Sequence, residues 1–193
     1  MGIETKTIEI DNRRVAITQF PARKSLRLLL KTVKLIEDPI VLSNNNGIAL
    51  LEIMADKLAS INVNEVLIEI LAETSIDNVK INSENYDYIF GDFALLLEVF
   101  KETALYNWQI YYDRQDDISY LYKKEVYMDK VSVDILAKAL SKEWLIWRLV
   151  TKGVSLKDLE THFSAADVID ANLAFEVDDA ILDSNTVARL RAI

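Results

Sequence analysis

The chain has no cysteine, four glycines, two prolines and one histidine among 193 residues, and each scarcity closes a class of chemistry. Without cysteine there is no disulfide framework, no thiolate nucleophile and no Cys-based zinc site, a composition that suits a reducing compartment. Glycine occurs only at positions 2, 47, 91 and 153, too scattered for a phosphate-cradling loop or a dinucleotide turn, both of which need clustered glycines. The nearest approach to a nucleophile elbow, Gly153-Val154-Ser155, lacks its second glycine. His162 has Asp158 one turn before it, but a lone imidazole among 31 acidic residues reads as a surface or cap-proximal side chain before it reads as a metal ligand. Carboxylate pairs such as Asp167 and Asp170 arise by chance at this acidic content, and a general acid–base pair needs opposed environments that no spacing reveals. No catalytic, cofactor-binding or metal-ligating residue is therefore assigned, and the chain is read as a non-enzyme. Every apolar run is interrupted by Lys or Glu before the roughly 18 residues a bilayer crossing requires. The first eleven residues carry no secretory pattern, so the expectation is a cytoplasmic protein with no membrane partner.

What is present is a hydrophobic share of 51% with 27% charged residues, which specifies a packed core. The charge is unevenly spread. Up to Ile36 eight basic residues face three acidic ones, a net +5, which leaves −14 for the remainder of a chain of net charge −9. The two regions must attract each other, within one chain or between chains, and the acidic bulk disfavours nucleic acid as a partner.

Periodicity predicts a mainly α fold: a helical domain with a short N-terminal β-hairpin, followed by further C-terminal helices. TKTIEI and RVAITQ alternate as two strands around Asp11-Asn12-Arg13. After Pro21, the residues Leu26, Leu29, Leu30, Val33 and Ile36 define one face of a first helix ending before Pro39. Its other face carries Arg23, Arg27, Lys31 and Lys34, a solvated face in the plainer reading and a contact for an acidic partner or DNA in the other. Past the loop Ser43 to Gly47, Leu50, Leu51, Met54, Leu58 and Ile61 mark a second helix. Asn62 and Glu65 are spaced to cap a third through Leu71. Ile76 to Asn82 fits either a loop or a minor strand.

Asp92 is placed to cap a long helix built on Phe93, Leu96, Leu97, Phe100, Ala104 and Trp108. Aromatic residues then crowd both sides of a charged, turn-like stretch, Asp113 to Asp117: Tyr106, Trp108, Tyr111 and Tyr112 before it, Tyr120 and Tyr122 after it. They form either a core or a recognition surface. The break at Asp113 to Ser119 also divides the chain into 1–115 and 116–193. A helix from Val131 to Val150 stops at Gly153, and Ser155 with Asp158, then Ser164 with Asp167, open two more. The last is acidic and amphipathic, with Val168, Ile169, Leu173 and Val177 on its apolar side.

Two stretches resemble a known family. TKTIEIDNRRVAITQFPARKSLRLLLKTVKLI, a hairpin followed by a Phe-Pro-Ala junction and a basic amphipathic helix, and IFGDFALLLEVFKETALYNW, ending in Asn107-Trp108, are similar to segments of the tail assembly chaperones of long-tailed bacteriophages. The region Trp144 to Asp178 is more loosely similar to the C-terminal helices of such proteins. The chain departs from the pattern in the short Gly91-Asp92 link and in the aromatic stretch from Tyr106 to Tyr127. The resemblance implies a cofactor-free assembly factor in the host cell cytoplasm. Such a factor binds the tape measure protein, helps recruit the tail tube protein and is absent from the finished virion; self-association is also compatible with it. The residues assigned to partner binding on this basis are Tyr106, Trp108, Tyr111 and Tyr112, with Arg23, Arg27 and Lys31. Two alternatives are a structural tail or baseplate component and a small helical DNA-binding regulator working through Arg23, Lys24, Arg27 and Lys31, the latter opposed by the net charge.

Overall fold

The computed structural model describes residues 2–36, 61–126 and 143–191. The second helix expected at Leu50 to Ile61, apart from Ile61 itself, the loop before it and residues 131–142 of the helix expected from Val131 lie outside the described residues. Within them the fold is mainly α, with eight helices and one small antiparallel sheet.

Strands β1 (Thr5–Ile10) and β2 (Arg13–Thr18) form the predicted hairpin. Asp11 and Asn12 sit at φ 50 and 61, the double left-handed geometry of a type I′ turn, whose twist matches that of the strands it joins. The ambiguous stretch resolves as a second hairpin, β3 (Thr74–Ile76) and β4 (Val79–Lys80), turned at Asp77 and Asn78 in the same geometry. β3 pairs with β2 with Val15 opposite Ile76 and Ile17 opposite Thr74, giving the order β1-β2-β3-β4. One face of this sheet is apolar where it meets the helices, with Val15, Ile17 and Ile76 fully buried. The opposite face carries Thr5, Thr7 and Glu9 in the open, the inside–outside alternation expected of an antiparallel sheet covered on one side.

Helix α1 (Ala22–Ile36) follows Pro21 as expected. α2 (Ile61–Leu71) already includes Asn62, so Asn62 lies inside the helix and not at the cap position assigned to it. α3 is one turn, Tyr86–Ile89, and α4 (Phe93–Asp113) is the central helix, capped as predicted by Asp92, whose Oδ1 accepts from the Ala94 amide at 2.9 Å. α5 (Gln115–Val126) begins after a single residue, Arg114. The anticipated five-residue turn is therefore one residue wide. Asp116 and Asp117 occupy the first turn of α5, where the helix dipole favours carboxylates, and are helical for that reason.

α6 (Trp144–Thr151) ends where Gly153 stands at φ 93; the Gly153 and Val154 amides donate to the carbonyls of Val150 and Leu149 at 3.0 Å each, a Schellman closure. α7 (Leu156–Thr161) follows Ser155, whose side chain makes no capping bond, contrary to expectation; its backbone carbonyl takes the Asp158 amide instead. α8 (Ala165–Arg191) opens with the predicted capping box, the Ser164 amide donating to Asp167 Oδ2 at 2.9 Å and the Asp167 amide to Ser164 Oγ at 3.3 Å.

One cluster of buried side chains gathers residues from the sheet and from helices on both sides of Arg114, including Phe20, Phe100, Trp108, Leu121, Leu149 and Ile169. Leu97, predicted to face the core, is buried.

Candidate functional site

The Phe-Pro-Ala junction and the Asn107-Trp108 pair, 87 positions apart, meet in the core. Asn107 Oδ1 accepts the Phe20 amide at 2.6 Å, and Asn107 Nδ2 donates to the Thr103 carbonyl at 3.0 Å. Ser25 Oγ donates to the Asn107 carbonyl at 3.2 Å, and Trp108 Nε1 donates to the Ser25 carbonyl at 3.1 Å. The Phe20 and Trp108 rings lie 6.3 Å apart in a tilted arrangement. The chain leaves β2 at Thr18 and must turn into α1, so the Phe20 amide has neither a ladder nor a helix partner; Asn107 supplies one. Each group in this knot is satisfied, as burial demands.

Trp108 and Tyr111 are core residues, 0% and 5% exposed, so their assignment to partner binding is corrected. Burial also pushes the Tyr111 hydroxyl far above its ordinary pKa, against a smaller opposing effect of Ser25. Their positions on α4 face α1, and four aromatics within seven residues of a helix cannot all share one face. Tyr106 and Tyr112 are the half-buried members of the set, and Tyr120 is exposed on α5. Tyr106 lies beneath the Lys6 ammonium, 5.0 Å from its ring centre, and flanks a shallow cleft of about 250 Å³ that Phe20, Ile110 and Ala165 also line.

The basic face of α1 is held by carboxylates from elsewhere in the chain. Arg23 Nε donates to Glu143 at 3.0 Å, and its guanidinium also engages Glu160. Arg27 stands 4.0 Å from Glu143, Lys24 pairs with Glu73 at 2.8 Å and Lys31 with Glu69 at 2.6 Å. Earlier in the chain Lys6 pairs with Glu102 at 2.8 Å and Arg13 with Asp77 at 2.9 Å. The attraction implied by the uneven charge is thus realised within one chain. Glu143, at φ 50 just before α6, is an uncommon left-handed glutamate that receives Arg23 and Arg27 together. The hydrogen bonds of Glu143 and Glu160 raise the Arg23 pKa, and the neighbouring guanidiniums and ammoniums leave a cleft of about 250 Å³ between α1, Glu69 and Glu160. Charge asymmetry announced these contacts; which carboxylates make them depends on tertiary packing that no periodicity encodes.

A second buried polar group went unsuspected. Arg148 of α6, 7% exposed, donates to the Asn172 carbonyl at 3.1 Å and pairs with Glu176 of α8, while Asn172 Nδ2 donates back to the Leu145 carbonyl at 3.1 Å. The only sequence signal was a basic residue amid the apolar run Trp144 to Val150 facing acidic α8. Among the described residues no three His, Cys, Asp or Glu side chains stand together as a metal site. His162 is a surface residue, its Nδ1 2.6 Å from Thr161 Oγ1 and 3.8 Å from Asp158.

Set beside known proteins, the chain matches no family profile, no curated sequence and no solved structure.

Proposed function

We propose that this protein is a phage tail assembly chaperone: a factor that acts in the host cell cytoplasm, binds the tape measure protein, shields its apolar surface and assists recruitment of the tail tube protein. The observation that carries the reading is the knot at Asn107. The two stretches that resemble the family, Thr5 to Ile36 and Ile89 to Trp108, are the two that close on each other there, so the resemblance falls on residues that define one scaffold and not on unrelated surface positions.

The surface around that scaffold suits a helical client. Tyr120 on α5, Trp147 on α6 and Val177 on α8 are 56%, 44% and 60% exposed, and α8 packs against both other helices. Large apolar side chains left in water on neighbouring helices are what an amphipathic partner covers. With Trp108 and Tyr111 in the core, the partner-binding set is Tyr106, Tyr112, Tyr120, Trp147 and Val177. The DNA-binding alternative loses ground because Arg23, Lys24, Arg27 and Lys31 each already face a carboxylate, which phosphate would have to displace. Among the described residues no helix is long and apolar enough to cross a membrane.

Mass spectrometry of purified particles tests the assignment against the structural-component alternative. A chaperone is present in infected cells and missing from particles; stoichiometric copies in particles would refute it.

A further inference from the structure

A single residue, Arg114 at φ −108 and ψ 22, separates α4 from α5. Main-chain bonds run up to it and away from it: the Arg114 amide donates to the Ile110 carbonyl and the Ile118 amide to the Arg114 carbonyl, each at 3.0 Å. The helical ladder is interrupted between these two bonds. Breaks of this kind usually mark a proline, a glycine–serine pair, a π-bulge or an inserted group. From Phe93 to Val126 the sequence holds neither proline nor glycine. The segment carries no breaker of its own, so the bend is imposed by what packs around it.

Two contacts impose it. Arg114 Nη2 donates to Asp170 of α8 at 3.0 Å while its Nε engages Asp117 of α5, so one guanidinium ties the break to both helices. Beyond the break α5 packs on α4 and α8 and sinks Ile118 and Leu121, both fully buried, into the core. The competing arrangement is one helix from Phe93 to Val126, about 50 Å long at about 1.5 Å per residue. It restores the interrupted ladder. Against it, Asp113, Asp116 and Asp117 then stand at i, i+3 and i+4 inside one helix, where like charges repel, and Asp116 and Asp117 lose the favourable dipole at the start of α5.

We infer that α5 is a lid hinged at Arg114 and latched by Asp170. The bent form dominates, and a minor straight form, in which α4 and α5 are one helix, exposes Ile118, Leu121 and the part of the buried cluster beneath them. Arg114 and Asp170 are 28% and 42% exposed, so the latch is open to dissolved ions. Salt weakens the latch and the dipole attraction that favour the bent form, and it also weakens the carboxylate repulsion that opposes the straight one. All three changes have the same sign: added salt opens the lid. The hinge is independent of the chaperone reading.

The full chain has no cysteine, so spin labels can be placed by Lys101→Cys and Tyr120→Cys, exposed positions on α4 and α5, and their separation read by pulsed double electron resonance. One continuous helix holds the two backbones about 28 Å apart, and any bend at Arg114 brings them closer. A second pair, Tyr120→Cys with Ala174→Cys on the exposed side of α8, must lengthen in the same population. The expected result is a dominant bent distance with a minor, narrow population at the straight-helix separation. That population should grow several-fold in Asp170→Ala and in about 1 M sodium chloride. Asp116→Pro fits the first turn of α5 but not the interior of one helix, and should remove it; if that variant folds poorly, Asp170→Ala and the salt series decide. One unchanging distance in every condition, an open population that is broad because α5 has unfolded, or a straight population that persists in folded Asp116→Pro would each overturn the proposal.

Discussion

Replacing Asn107 with leucine isolates the polar knot from its volume, because the two side chains are similar in size and no large cavity opens. Two hydrogen bonds disappear. The bond from Asn107 Nδ2 to Thr103 is the lesser loss, because that carbonyl lies within α4 and retains the helix ladder; it contributes about 0.5–1.5 kcal/mol. The Phe20 amide is the greater one: its residue is 1% exposed, and Asn107 Oδ1 at 2.6 Å is its acceptor. An amide orphaned at that depth costs about 1–3 kcal/mol. Leucine returns part of this through apolar burial, about 1 kcal/mol, which leaves a net destabilisation of about 2 kcal/mol. Urea denaturation followed by tryptophan fluorescence reads it as a lower midpoint at unchanged slope, shifted by about 1 M if the slope is about 2 kcal/mol/M. Ser25→Ala, which removes the bond to the Asn107 carbonyl and the side-chain contact with the Tyr111 hydroxyl, should cost about half as much. A shift in Asn107→Leu indistinguishable from zero would mean that the Phe20 amide is not held by Asn107 and that the two stretches are joined by apolar packing alone.

Three further outcomes follow from single side chains. The Tyr86 hydroxyl is buried without a hydrogen-bond partner among the described residues, and burial, aided by Asp87, pushes its pKa up to about 12; Tyr86→Phe should leave stability unchanged or raise it by about 1 kcal/mol in thermal melts. Arg148→Met removes the guanidinium that pairs with the buried Glu176 carboxylate across the α6–α8 interface and should cost about 3–5 kcal/mol by denaturant titration, with Glu176→Gln in the same background restoring part of it. Burial pushes the Glu73 carboxyl up, but the Lys24 and Lys80 ammoniums outweigh it and hold its pKa below the ordinary 4.5. The unfolded chain therefore takes up this proton first, and the stability that Glu73 contributes is full above pH 4.5 and lost as pH falls below it. Stability measured against pH should fall less steeply in that acid range for Glu73→Gln than for the native chain.

Elements whose signals are local were legible in the sequence. The β1–β2 hairpin announced itself through β-branched alternation around Asp11-Asn12, α4 through Asp92 and its apolar repeat, and α8 through the Ser164 and Asp167 box. What depends on pairing across the chain was not. β3 and β4 are three and two residues long, too short for a period to register, and they exist because β2 offers them an edge some 60 residues away. The aromatic segment was read as one unit when the 3.6-residue period divides it, sending Trp108 and Tyr111 inward and Tyr106 to the rim. The basic face of α1 was legible as a charge pattern, but Glu69, Glu73, Glu143 and Glu160 became its partners only through the packing of α2, α6 and α7 around it.

The proposed function is tested most directly by co-expressing the chain with a phage tape measure protein and measuring the mass of the soluble complex by light scattering after size exclusion. A chaperone yields a soluble complex containing both chains, and substitution of the exposed Tyr120, Trp147 and Val177 by serine depletes it without unfolding the protein. A tape measure protein that is equally insoluble with and without this chain would contradict the account.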